Sequence, residues 1–199
     1  MKMIFLSAAS AAVLAAPAFA QDWRLDHDAS KVTAEMTVFN APATANFDRF
    51  DADISFDPAA LDTASIEATV YAASGVVRNA DGRQISDYQN ALEGSSGLNV
   101  ETYEEIRFVS ETIVATDAGY EALGTLSVRD VTRQITLSFT LDIAGDRAVA
   151  EGGFTLSRED LGLVNSSWGN NIADAIDVQL YIEADRASSD GAPGDAALD

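Results

Sequence analysis

The feature that most constrains this chain is a two-residue alternation of apolar and polar side chains, repeated in short runs along most of its length. Successive side chains of an extended strand point to opposite faces, so such a run makes a strand with one dry face and one wet face. Val32, Ala34, Met36 and Val38 alternate with Lys31, Thr33, Glu35 and Thr37. Phe50, Ala52, Ile54 and Phe56 repeat the pattern and stop at Asp57-Pro58, where proline withholds the donor a ladder needs. Ile66, Ala68 and Val70 form a third run, and Ile106 with Phe108 opens a fourth. Thr112 to Val114 leads into an Asp117-Ala118-Gly119 turn, and Tyr120 to Val128 follows as a strand. Ile135 to Ile143 alternates without interruption. Val149 to Leu156 returns, with Gly152-Gly153 predicting a bulge or sharp coil. Ile176, Val178, Leu180 and Ile182 form the last run.

These runs amount to about eight strands at hairpin spacing. One-sided burial belongs to antiparallel sheets and argues against a doubly wound α/β architecture. Two packed sheets would bury the dry faces, and so would one sheet curled on itself. Residues 73–104 break the rhythm, with Gly75, Gly82, Gly94 and Gly97 set among polar side chains. Within them only Arg83 to Leu92 has the composition of a short helix. A connection this long is either a surface excursion or a functional lid or rim.

The two ends do not read as fold. Lys2 precedes an apolar run, Ile4 to Ala16, of about 13 residues, roughly 20 Å as helix against a bilayer core of ~30 Å. Ala18-Phe19-Ala20 supplies the small-x-small pattern of a signal-peptidase site, so residues 1–20 are expected to be a signal peptide. Residues 186–199 hold Ala, Ser, Gly, Pro and Asp with little to bury and are expected to be a disordered acidic tail. The domain is then 21–185.

Cysteine is absent, which removes disulfides, thiolate zinc sites, iron–sulfur ligation and thiol catalysis together. Acidic residues number 32 against 12 basic ones, for a formal charge of −20. A surface of that sign repels phosphate backbones and anionic headgroups, so nucleic acid is not an expected partner. No other stretch predicts stable membrane insertion.

Signals for chemistry are few. His27 is the one histidine, between Asp26 and Asp28. It cannot build a multi-histidine metal site, and no nucleophile elbow accompanies it. Asp51, Asp53 and Asp57 resemble a calcium-loop spacing, but Ala52, Ile54 and Phe56 make that segment a strand face, without the loop glycine or terminal glutamate. No glycine-rich phosphate loop stands between a strand and a helix. Catalytic residues, metal and cofactor are therefore all expected to be absent.

The large residues on the dry faces serve first as core. Eight strands, however, also suffice for a closed barrel that holds one small ligand. Burying ~400 Å² of ligand would contribute ~10 kcal/mol before binding costs, without catalytic machinery. Three functions remain open on the residues alone. They are an apolar-ligand binder with a continuous cavity, a structural or adhesive β-domain with a filled core, and a hydrolase or isomerase of a hydrophobic substrate with a polar cluster at the cavity.

The ordered segments resemble the YceI-like domain of exported bacterial proteins. The resemblance opens with Trp23-x-Leu25-Asp26 followed by Ser30 and Val32, and continues through Phe47, Phe50, Ile54, Phe56 and Asp57-Pro58. Ser65 to Val70, then Leu98-Asn99, Tyr103, Ile106 and Phe108 extend it. The most recognisable piece is Gly124-Thr125-Leu126-Ser127-Val128-Arg129 with Val131-Thr132, followed by Ile135 to Leu137. Phe154, Ser157-Arg158, Asp160, Leu161-Gly162, Ile172, Asp174 and the strand to Ala184 close it. Departures are Asn46 and Asp130 where the family usually has glycine, Ser96-Gly97-Leu98 in place of an aromatic rim, and Glu104 for a proline.

The resemblance implies an all-β fold, an extended eight-stranded antiparallel lipocalin-like barrel with a short helix in a long mid-chain connection. It implies a periplasmic protein that binds an isoprenoid or other lipid-like molecule in its interior, with no established enzyme activity. A homo-oligomer stays open. If the barrel closes, alternation turns Met36, Phe47, Phe50, Ile66, Phe108, Leu126 and Phe139 toward the ligand, with Leu92, Leu98 and Tyr103 at the mouth. Arg158 and Asp160 are expected to fix a barrel end through hydrogen bonds or a salt bridge.

Overall fold

A computed structural model of the chain describes residues 20–163 and 171–187. Of the expected signal peptide, residues 1–20, only Ala20 is among them, and of the expected tail, residues 186–199, only Arg186, which ends the last strand, and Ala187; residues 164–170, with Trp168, lie outside. The elements are β1 (Asp22–Leu25), β2 (Lys31–Val38), β3 (Ala41–Phe47), β4 (Phe50–Ser55), β5 (Ser65–Tyr71), β6 (Gly75–Asn79), α1 (Ser86–Glu93), β7 (Glu105–Thr116), β8 (Gly119–Val128), β9 (Val131–Ala144), β10 (Arg147–Ser157) and β11 (Ile172–Arg186).

Every pairing is antiparallel, and three pairs of short strands act as single interrupted ones. Both β1 and β2 lie along β11, with Trp23 opposite Arg186 and Met36 opposite Ile176. Next to them β4 pairs with β1 and β3 with β2. Beyond these β5 pairs with β4 and β6 with β3. Counting each interrupted pair once, with β7 to β11, gives an eight-stranded antiparallel barrel. The alternation built it: Val32, Phe47, Phe50, Phe108, Leu126 and Ile176 are all buried on the inner face.

At one end the wall is continuous, in the order β1, β4, β5, β7, β8, β9, β10, β11 and back to β1. Here the Trp23 indole N–H donates to the Phe56 carbonyl at 2.9 Å. The Phe56 ring meets Tyr120 edge-on at 5.1 Å, and Tyr120 stacks on Phe139 at 5.5 Å. Arg186 lies over the Trp23 ring at 5.1 Å and pairs with Asp146. Arg147 pairs with Glu183, with Asp26 at 3.7 Å and Asp185 at 3.6 Å.

At the other end the wall parts twice. Strand β6 pairs with β3 and with no second strand, and α1 with residues 94–104 lies between it and β7. The β9–β10 ladder stops at Ser138 opposite Gly153, although β10 continues along β11 to Ser157.

Several expectations need correction. Strand β6 lies inside the stretch read as one long connection, and the helix in that stretch is Ser86–Glu93. Strand β3 is easily overlooked because two of its three buried residues are the small Ala43 and Ala45, 1% and 0% exposed; the third is Phe47. Gly152-Gly153 forms no bulge, since Gly152 stays in register with Phe139 on one side and Leu180 on the other. Glycine serves close approach there: a Cβ on Gly152 would stand 2.5 Å from the Phe139 Cβ. Register shifts fall instead between Ser110 and Thr112 and between Ile172 and Ile176. In the β8–β9 hairpin the positive φ, 56°, belongs to Arg129 rather than to Asp130.

Candidate functional site

The barrel encloses a cavity of about 300 Å³, and its wall is almost entirely hydrocarbon. What keeps it hollow is the size of particular inward residues. Ala34, Ala45, Ala52, Ala68, Ala150 and Gly152 all border the space. Cross-strand neighbours place some of them side by side, as Ala34 with Ala45 and Ala52 with Ala68. Larger side chains at these positions would meet across the interior, as they do in a filled barrel. Inward alanines are visible in the alternation and were the signal for this hollow.

The residues singled out from the sequence fall as follows. Met36, Phe47, Phe50 and Ile66 border the cavity from β2 to β5, and Phe108, Leu126 and Phe139 from β7 to β9. Leu92 from α1 and Leu98 just after it border it at the parted end. Tyr103 does not: its ring faces the Arg129 guanidinium at 5.8 Å. It follows a turn in which its N–H bonds to the Asn99 carbonyl at 3.0 Å. Sequence reasoning also passed over Tyr88 and Ala91 on α1 and Leu161 and Leu163 after β10, all of which line the space.

The cavity is bounded differently along its length. Trp23, Phe56, Ala148 and Ala184 border it at the continuous end. Toward the parted end it meets Arg158, which is 8% exposed and donates from Nη1 to the Leu163 carbonyl at 2.6 Å. Its Nη2 reaches the Ile172 carbonyl at 3.4 Å. Arg158 thus ties down the chain after β10 by hydrogen bonds. Asp160 contributes there through its backbone, the N–H bonding to Ser157 Oγ at 3.2 Å.

The titratable residues that border the cavity are Asp51, Tyr88 and Arg158. His27 sits on the outside of the barrel with 57% of its side chain exposed, its Nε2 3.5 Å from Asp51 Oδ1. The Tyr71 hydroxyl donates to the other oxygen of Asp51 at 3.1 Å, and that bond holds the phenol above its usual pKa. Among the described residues no group of three or more His, Asp or Glu side chains is placed to hold a metal ion. No helix among them is long and apolar enough to cross a membrane.

Solved structures with the same fold include BcnA of Burkholderia cenocepacia, 24% identical with a TM-score of 0.72, covering 80% of this chain and 99% of that one. The Campylobacter jejuni YCEI protein is 19% identical with a TM-score of 0.61, over 72% of this chain and 85% of that one. A polyisoprenoid binding domain from Saccharophagus degradans is 15% identical with a TM-score of 0.61, over 84% and 99%. No curated protein sequence matches the chain. The model of the YceI-like domain matches residues 23–184, from the Trp23 floor to the end of the β11 lining, and the chain belongs to that family.

Proposed function

We propose that this protein binds an apolar, isoprenoid-like or other lipid chain inside its barrel, without catalysis, and carries or stores it in the periplasm. The observation that carries the reading is the hollow itself, a cavity of about 300 Å³ walled mainly by alanine, aliphatic and aromatic side chains. Such a wall offers buried area and nothing else, which suits a ligand that is itself hydrocarbon over most of its length. The binding of polyisoprenoid by a domain of the same fold supports the ligand class. The signal-like first twenty residues support export. A hydrolase or isomerase would need a cluster of acid–base groups at the cavity; Asp51, Tyr88 and Arg158 border it from separate elements, and the one histidine, His27, stands outside it.

The test fills the hollow. Ala68→Leu and Ala150→Leu add bulk to a space that is already empty, so each should fold with a melting temperature close to wild type. Native mass spectrometry of the protein purified from its host should show a co-purifying lipid on the wild type and none on the double variant. Wild-type protein that carries no lipid, and gains no thermal stability from added isoprenoid alcohols or long-chain fatty acids, would overturn the reading.

A further inference from the structure

The segment that closes the gap between β6 and β7 is held by side chains where the rest of the barrel is held by backbone ladders. Residues 86–103 form a unit of their own. Leu98 N–H bonds to the Leu92 carbonyl at 2.7 Å, Asn99 N–H to Gly94 at 3.0 Å and Val100 N–H to Glu93 at 3.0 Å. Gly97 lies so close to the end of α1 that a Cβ on it would stand 2.2 Å from the Ala91 carbonyl oxygen. Among the described residues, no backbone–backbone hydrogen bond runs from this unit to a strand.

The side chains of Gln89 and Arg129 connect it to the strands. Gln89 faces the open edge of β6, where its Oε1 accepts from the Val77 N–H at 2.9 Å and its Nε2 donates to the Gly75 carbonyl at 2.7 Å. A carboxamide carries the same donor and acceptor as a peptide group, so Gln89 occupies the place of a ninth strand's residue. On the other side Arg129, at the tip of the β8–β9 hairpin, donates from Nη1 to the Gly97 carbonyl at 3.0 Å and to that of Ser95 at 3.4 Å. Its guanidinium also lies over Tyr103. Arg129 holds a positive φ of 56° at the first central position of a two-residue hairpin loop, where glycine is preferred. Keeping an arginine at such a position costs backbone strain, which the latch offsets. The inner side of the unit carries Tyr88, Ala91, Leu92 and Leu98 into the cavity wall.

We infer that residues 86–103 are a lid, latched by Gln89 to β6 and by Arg129 to the β8–β9 hairpin, and that lipid enters and leaves the cavity beneath it. Opening breaks a few side-chain bonds and no strand pairing, so the barrel stays folded while the lid lifts. The exchange of ligand rests on the lipid-binding reading above. The opening of the lid does not.

The experiment uses the protein without its leader, as Arg129→Gly and Gln89→Leu variants. Arg129→Gly removes the latch and places the preferred residue in the turn, so the fold is retained. Gln89→Leu keeps the side chain's bulk. Hydrogen exchange of ligand-free protein should show residues 86–103 and the Val77 amide opening together, well before the β8 and β9 amides, and faster in both variants. Stopped-flow mixing with a fluorescent polyene fatty acid should show association and dissociation both faster by about tenfold, the effect of losing a charge-assisted bond, with equilibrium affinity within about twofold. Latch variants whose exchange in 86–103 matches wild type overturn the lid. Faster exchange with unchanged probe kinetics overturns its role in entry. A wild type that binds no probe, yet opens in this segment, leaves the lid standing and removes the lipid reading instead.

Discussion

At the Trp23 end the strands close into a ring in which each has two hydrogen-bonded neighbours over part of its length, whereas at the α1 end β6 has one among the described residues. The inner surfaces differ in the same sense. Around Trp23 and Phe56 the interior is aromatic and packed, with rings 5 to 6 Å apart. Toward α1 the wall mixes partly buried aliphatic side chains such as Met36 and Leu92 with Phe47, which lies beside Leu92 at Gly75. One end therefore supplies the stability that lets the other be hollow and incompletely zipped. A sheet edge left bare is a hazard for pairing with other chains, and at β6 a helix covers it and one glutamine satisfies it.

Truncation at the two ends should break or sharpen this contrast. Trp23→Ala removes a 6% exposed indole and its bond to the Phe56 carbonyl, and should destabilise the protein by about 3–5 kcal/mol in urea unfolding. Met36→Ala removes atoms that already face empty space, so fewer contacts are lost, and the cost should be about 1–2 kcal/mol. Equal losses from the two substitutions would mean that the α1 end is as well packed as the floor.

The sequence shows the difference between the ends only in part. Period-two alternation exposed β2, β4, β8, β9 and β11 because their inward residues are large. The same logic hid β3, where Ala43 and Ala45 precede the one large inward residue, Phe47, although Ala45 borders the hollow. The short β6 was obscured by polar and glycine neighbours that belong to the lid. Local pattern cannot show that Gln89 substitutes for a strand, because its partners Gly75 and Val77 become an edge only after β3 and β6 have paired. Tyr103 was assigned to the mouth by its place in the family's rim segment. It turned to Arg129 instead, a contact fixed by the hairpin tip 26 positions away.

The smallest effect concerns the chain after β10, which borders the second gap. The Asp174 carboxylate accepts the Glu159 N–H at 2.9 Å, and that bond, aided by the Ser157 hydroxyl, holds its pKa below the usual carboxylate value. Because the folded pKa is the lower one, the contribution is complete above the unfolded value near 3.8. It is lost as pH falls through the still lower folded value. Acid should therefore loosen residues 158–163, whereas at the continuous end the contacts of Trp23 are a bond to a backbone carbonyl and ring packing, neither of which depends on a carboxylate. In native-state exchange between pH 5 and pH 3, the Glu159 and Leu161 amides should lose protection beyond the ordinary pH dependence of exchange. Amides of β1 and β8 should not. Asp174→Asn should reproduce the loss at neutral pH. If that variant leaves the two amides as protected as before, the carboxylate is not what holds this segment, and the Arg158 bonds to Leu163 and Ile172 suffice on their own.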